Sequence, residues 1–240
     1  MEIKQASPKY HRVLLKLSGE ALAAGVDDIL NFDFIRQIAS VVKKCQSAGV
    51  QVALLCGAGN IWRGRQGGKM NRCRADHMGM LATTINALAI KDTFEQEGID
   101  AVVLSAVKMD TFADFYTSRD AITALEAGKV VILGGGTGLP YFSTDTAAAL
   151  RAAEIEADVV LMAKNIDAIY SADPKLDPTA TRYAELTYME ILEKNLRALD
   201  MSAATFCQDN HIRCYAFGLS DPENIYRVVM GEHIGTEIHN

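Results

Sequence analysis

Apolar positions along the chain fall into two kinds of run. Short, almost uninterrupted apolar runs at 13–17, 51–56, 101–105, 130–133, 158–162 and 213–217 predict buried strands. Between them the apolar residues recur at three and four positions. Phe34, Ile35, Ile38, Val41, Val42 and Cys45 predict an amphipathic helix over 33–48, ended by Gly49. Further helical patterns cover 76–96, 120–126, 144–156, 189–210 and 222–230, with Gly98 and Gly128 closing the first two. Strands that are apolar on both faces and alternate with helices predict a mostly parallel sheet, covered on both sides in a three-layer α/β/α sandwich. No Ser/Gly/Pro-rich linker and no internal repeat divides the pattern, so the whole of 1–240 reads as one α/β domain.

Composition narrows the class. With 240 residues, 49% apolar and 22% charged, the chain has ample surface to bury, which excludes disorder as its main state. No uncharged apolar stretch of membrane-spanning length occurs. The first dozen residues are polar, carry Lys4, Lys9 and Arg12, and lack the apolar centre of a signal peptide, so a cytoplasmic location is expected. A net charge of −6 argues against nonspecific nucleic-acid binding. The five cysteines form no Cys-x-x-Cys pair and read as reduced thiols. The five histidines show no ligand spacing, so no structural metal is expected.

Candidate chemistry sits where strands end. Lys16-Leu17-Ser18-Gly19-Glu20 closes the first strand and Gly57-Ala58-Gly59-Asn60-Ile61-Trp62-Arg63-Gly64 the second. Gly134-Gly135-Gly136-Thr137-Gly138 follows a third, with Thr144-Asp145 beyond it. Asn165-Ile166-Asp167-Ala168-Ile169-Tyr170-Ser171-Ala172-Asp173-Pro174 follows a fourth. Glycine after a strand lets backbone N–H groups approach anionic oxygens, and a helix start nearby adds positive potential. In open parallel sheets ligands bind beyond the carboxyl ends of the strands, so these segments belong to one site. Neither a P-loop nor a Gly-x-Gly-x-x-Gly fingerprint is present. Lys16 could snorkel to solvent or neutralise a transferring phosphoryl group. Asp145 could cap a helix or serve the site, Asp200 sits in an Ala/Met-rich helical stretch that demands a partner, and Arg63 and Asp76 are candidate ligands of an acceptor.

These segments resemble the bacterial uridylate (UMP) kinases of the amino-acid-kinase superfamily, from about Tyr10 to Thr236. The most specific pieces are Leu15 to Glu20, Gly59 to Gly64, Met70 to Thr83, Gly136 to Asp145, Glu154 to Asp158, Ser171 to Pro174 and Arg227 to Glu232. The Asp76-His77-Met78-Gly79-Met80 block separates uridylate kinases from amino-acid and carbamate kinases of the same fold. The resemblance implies transfer of the ATP γ-phosphate to UMP, with magnesium carried as Mg-ATP and not ligated by protein side chains. It implies an acceptor-side lobe over about 10–157 and an ATP-side lobe over about 158–238. Lys16, Leu17, Ser18, Gly19, Gly59, Arg63, Lys164, Asn165, Tyr170 and Asp173 would serve ATP. Gly57, Ala58, Asp76, Thr137, Gly138, Leu139, Pro140, Tyr141, Phe142, Ser143 and Thr144 would serve UMP. Lys16, Asp145 and Asp200 would be catalytic, and a hexamer built as a trimer of dimers is implied.

The sequence departs from the family at three places. Ala58 and Ala168 stand where glycines are usual, Lys164 is offset from the usual second lysine, and the stretch after Glu20, linked in relatives to effector control, holds only Gly25. A different acceptor, or a nucleotide sensor without transfer chemistry, are the competing readings.

Overall fold

The computed structural model describes residues 7–63, 68–196 and 198–240; Lys4 and Gly64 lie outside them. The chain opens with β1 (Arg12–Leu17), α1 (Gly19–Leu22), α2 (Phe32–Ser47), β2 (Gln51–Cys56) and α3 (Arg72–Gln96). It continues through β3 (Ala101–Ser105), β4 (Asp114–Phe115), α4 (Ser118–Glu126), β5 (Val130–Gly134), α5 (Thr144–Glu154) and β6 (Val159–Lys164). Then come β7 (Ile169–Tyr170), β8 (Arg182–Tyr183), β9 (Glu185–Thr187), α6 (Tyr188–Glu193), α7 (Met201–Asp209), β10 (Cys214–Gly218), α8 (Asn224–Val229) and β11 (Thr236–His239).

Among the described residues, nine strands form one sheet in the order β4-β3-β5-β2-β1-β6-β10-β11-β9. Pairing is parallel except between β10 and β11, so the fold is α/β with a mostly parallel sheet, as the apolar strand runs predict. β7 and β8 form a separate antiparallel hairpin. The period-two alternation of a strand splits β1 between two cores. Val13, Leu15 and Leu17 face one, with Ile35 and Ile38 of α2 and Val228 and Val229 of α8. Leu14 faces the other, with Ala147, Ala148 and Ala152 of α5, whose small side chains let that helix close on the sheet. Lys16 falls on the Leu14 face, beneath α5.

The helix predicted over 189–210 is two helices. α6 begins with a capping box, Thr187 accepting from the Glu190 amide while Glu190 accepts from the Thr187 amide. Its continuation stops near Asn195, which takes a left-handed φ of 48°. α7 starts afresh on Asp200, whose carboxylate accepts from the Ala203 amide. Asp200 is therefore an N-cap at a helix end and not a mid-helix residue. Several other predicted bounds shift by a few residues, those of β2 and β3 not at all, and the short edge strands β4 and β9 and the short β11 between β10 and β9 carry too little pattern to be foreseen.

Candidate active site

Lys16, next to last in β1, has a side chain 12% exposed, and its ammonium lies 2.7 Å from Asp145 Oδ1 in an ionic contact without an aligned hydrogen bond. Ser143, not Asp145, caps α5, its hydroxyl accepting from the amides of Asp145 and Thr146. Asp145 is thereby free to face the strand. Burial alone would raise its carboxyl, but the Lys16 and Lys164 ammonium groups hold it below the usual carboxylate range. Burial lowers the Lys164 ammonium, Asp145 opposes that, and Lys16 reinforces it. Lys164 donates to the Ala198 carbonyl. Asp200 accepts from the Ser143 hydroxyl and, at 3.3 Å, from Thr146 Oγ1, so the amino ends of α5 and α7 are tied together at the same place. Two cations, two carboxylates and two helix amino ends converge at the carboxyl edge of the sheet.

The glycine loops meet by direct backbone contact. A side-chain carbon on Gly19 would lie 2.4 Å from the Gly59 nitrogen and 2.6 Å from the Gly57 carbonyl, so only glycine lets the ends of β1 and β2 touch. Gly135, Gly136 and Gly138 all take positive φ (77°, 60° and 81°), which explains the glycine run after β5. Ala58 and Ala168 are absent from the residues with positive φ, so neither alanine strains the backbone where relatives use glycine.

A cleft of about 1180 Å³ runs from Lys16, Ser18 and Gly19 past Gly57 and Gly59 to Lys164, Asn165, Tyr170 and Asp173. A smaller cavity of about 140 Å³ is lined by Asp76, Thr137, Leu139, Phe142 and Ser143. Ala58 and Thr144 line both. The donor and acceptor residue sets expected from the sequence thus fall largely into adjoining spaces with a common wall. Some residues sit elsewhere. Leu17 is buried in the core, where only its carbonyl, accepting from the Gly57 amide, faces the loop. Gly57 lines the larger cleft and not the smaller cavity. Arg63 pairs with Glu20 beside the cleft. Gly138, Pro140 and Tyr141 belong to the loop over the small cavity without lining it.

Asp76 is not a helix cap; Asn71 is. Asp76 accepts from Arg72 Nε at 2.8 Å and from the Tyr141 amide at 2.8 Å. Tyr141 takes φ 72°, a left-handed conformation that costs a non-glycine residue about 1–2 kcal/mol, and this bond helps to hold it. Sequence reading missed the buried polar face of α3. Thr83 accepts from the Gly135 amide at 2.9 Å, and Asn86 donates to the Gly57 carbonyl at 2.8 Å and bonds Asn60. The available signal was a helix with Thr83, Thr84 and Asn86 interleaved among apolar residues, polar groups that need partners once buried.

The family model of the amino acid kinase family matches residues 11–217. This chain belongs to the amino acid kinase family. Among solved structures, UMP kinase from Bacillus anthracis superposes with a TM-score of 0.92 at 32% identity, covering 96% of both chains. UMP kinase from Ureaplasma parvum gives 0.91 at 36% identity, covering 96% of this chain and 99% of that one. Uridylate kinase from Archaeoglobus fulgidus gives 0.72 at 28% identity, covering 94% and 99%. Membership in the amino acid kinase family fits a site made of backbone amides and a few charges, because phosphoryl transfer asks for positioning and charge neutralisation more than for covalent help.

Proposed function

We propose that this chain is a UMP kinase that transfers the γ-phosphoryl group of ATP to UMP, giving UDP and ADP. The observation that carries the reading is the pair of adjoining spaces that share Ala58 and Thr144, with Lys16, held by Asp145, lining the larger one. The large cleft suits ATP and the small one the acceptor. In the reaction an oxygen of the UMP phosphate attacks the γ-phosphorus while the bond to the ADP oxygen breaks. Lys16 neutralises charge on the moving group, and Asp145 holds that ammonium in place. Asp200 fixes Asp145 indirectly, by holding Ser143 and the start of α5.

Magnesium bound to ATP would supply further neutralisation of the phosphates. Among the described residues no three His, Cys, Asp or Glu side chains cluster as a metal cage, and Asp145 and Asp200 already have partners. The donor set therefore fits an ion held chiefly by the nucleotide. No described helix is long and apolar enough to cross a membrane. We place the enzyme in the cytoplasm, in pyrimidine nucleotide biosynthesis, as a single domain with an acceptor-side and an ATP-side lobe. Exposed Met78, Leu81 and Ile85 recur along α3 and support assembly through that face, in a hexamer of three dimers.

A coupled assay of ADP formation with UMP, CMP, dUMP, glutamate, aspartate and carbamate tests the reading. UMP-dependent turnover well above that of every other acceptor is the expected result. Failure of UMP to exceed CMP sinks it. Nucleotide binding without any turnover would favour a sensor.

A further inference from the structure

The sequence singles out Glu154 to Asp158, yet none of these residues enters the reaction as described. Asp158 has a structural use, accepting from the amides of His11 and Arg12 at 2.6 and 2.8 Å where β1 begins. Glu154 leads elsewhere. It lies in α5 beneath the glycine loop that follows β5, and it meets Arg151 Nη1 at 2.5 Å. The Arg151 side chain is only 7% exposed. Its guanidinium stacks 4.0 Å above the Tyr116 ring, and the Tyr116 hydroxyl donates to the same Glu154 oxygen at 2.8 Å. Burial and the neighbouring Glu154 push the Tyr116 hydroxyl pKa up, so it remains a proton donor at neutral pH.

A buried guanidinium has five N–H groups to satisfy. Arg151 Nη2 gives its protons to the loop above, meeting the Gly136 carbonyl at 3.3 Å and the Thr137 carbonyl at 3.5 Å. Gly136 and Thr137 both line the smaller cavity. A trans peptide is planar, with its C=O and N–H pointing opposite ways. Drawing the Gly136 carbonyl down toward α5 therefore turns the Thr137 N–H away from Arg151. Among the described residues nothing accepts from that N–H, whereas the next amide, Gly138, is satisfied by the Gly135 carbonyl at 3.0 Å. Glycines at positive φ make the loop easy to bend, so a peptide orientation here needs an external hold.

We infer that Arg151 is a positioning residue for the acceptor. Clamped by Glu154 and Tyr116, it holds the Gly136–Thr137 peptide so that the Thr137 N–H meets an oxygen of the second substrate. The inference rests on the smaller cavity being the acceptor site. It assigns Arg151 no contact with substrate and no part in the donor cleft, whose lining does not include it.

The test uses the full chain and compares wild type with Arg151→Gln, Arg151→Lys and Tyr116→Phe, varying UMP and ATP separately and recording thermal unfolding. For Arg151→Gln, KM for UMP should rise by about tenfold, the effect of losing a charge-assisted hydrogen bond, with KM for ATP within about twofold. Arg151→Lys should recover part of the loss, because a lysine there can still donate to one carbonyl but not as a fork. Tyr116→Phe removes the hydroxyl's bond to the Glu154 carboxylate but leaves the ring under the guanidinium and the ion pair intact, so it should raise KM for UMP by less, about threefold. A merely structural role would lower the melting temperature and move both KM values together, and that result overturns the inference, as does an unchanged KM for UMP. Should Arg151→Gln fail to fold, the lysine and phenylalanine variants decide by the same split. Wild type that prefers another acceptor would refute the proposed substrate and leave the positioning claim to be read on that acceptor's KM; wild type with no acceptor at all overturns both.

Discussion

The 140 Å³ cavity beside Asp76 and the 1180 Å³ cleft beside Tyr170 share two residues but are held by different means. Around the small cavity the polar bonds span long stretches of chain. Thr83 reaches Gly135, Asn86 reaches Gly57, and Asp76 reaches Tyr141. Together they join α3 to two loops, the one after β2 and the one between β5 and α5. Around the far end of the cleft the long-range ties sit at its base, where the Ile169 amide reaches Thr236 and Lys164 reaches Ala198, and the loop beyond them is held locally: Tyr170 to Asp167, the Lys175 amide to Asp173, the Thr179 amide to Asp177. The first region can change shape only by disturbing the buried face of α3, whereas the outer part of the second can adjust within one loop. Rejecting a wrong acceptor needs fixed donors and acceptors, because discrimination comes from leaving them unpaired. Admitting a donor nucleotide needs only reach and charge.

The comparison can be broken most severely at the proposed chemistry and at the shared wall. Lys16→Ala should cut kcat by roughly 10²-fold or more, the scale seen for preorganised groups that stabilise developing charge. UMP and ATP should still bind, as titration calorimetry would register; loss of binding with an unchanged rate would remove Lys16 from the chemistry. Ala58→Val, on the shared wall, should raise both KM values by about tenfold through overpacking of 1–3 kcal/mol. Were only one KM to move, the two spaces would not have a common wall in solution.

On the acceptor side alone, Asp76→Asn keeps the shape but weakens the hold on Arg72 and the Tyr141 amide. KM for UMP should rise by about tenfold with little change for ATP, since bonds to charged groups are worth roughly 1.5–3 kcal/mol. On the donor side, Asp173→Ala should raise KM for ATP by about threefold and leave UMP untouched, one hydrogen bond in an open loop being worth roughly 1 kcal/mol. Equal effects of the two variants on both substrates would erase the distinction.

The smallest effect lies outside both regions. The Thr187 amide, then Lys194, holds the Glu190 carboxyl down from 4.5 to about 2. A carboxyl depressed in the folded state contributes stability that is fully present above 4.5 and is lost as pH falls from 4.5 toward about 2. Glu190→Gln should therefore lower the melting temperature slightly at neutral pH. The difference should vanish near pH 2, and a difference that persists there would assign it to packing.

Much of the sheet was legible because buried parallel strands write themselves as unbroken apolar runs: the bounds predicted at 51–56 and 101–105 are those of β2 and β3. The strand-end segments also told where to look, since the carboxyl edge of a parallel sheet brings them together. Pairing was not legible. Asp145 follows a serine and a threonine at a helix start, and nothing local says that Ser143 caps and Asp145 turns to Lys16. Asp200 looked like a helix interior because 189–210 is apolar enough to continue, and only the left-handed Asn195 interrupts it. Arg151 gave no signal at all, as an arginine on an alanine-rich helix reads as solvated until Tyr116 and Glu154 close around it.

The seam between Gly19 and the Gly57–Gly59 backbone has a bearing on how such a scaffold can diversify. Where the ends of β1 and β2 touch with no side chain between them, the spacing of the two strand-end loops is set by main-chain atoms. If the smaller cavity takes the acceptor as proposed, a lineage can exchange one acceptor for another by rewriting α3 and the segment from Thr137 to Phe142, without retuning the distance over which the phosphoryl group travels. Insertions at the seam itself would alter that distance for every substrate at once, which makes it the part of the molecule with the least freedom to vary.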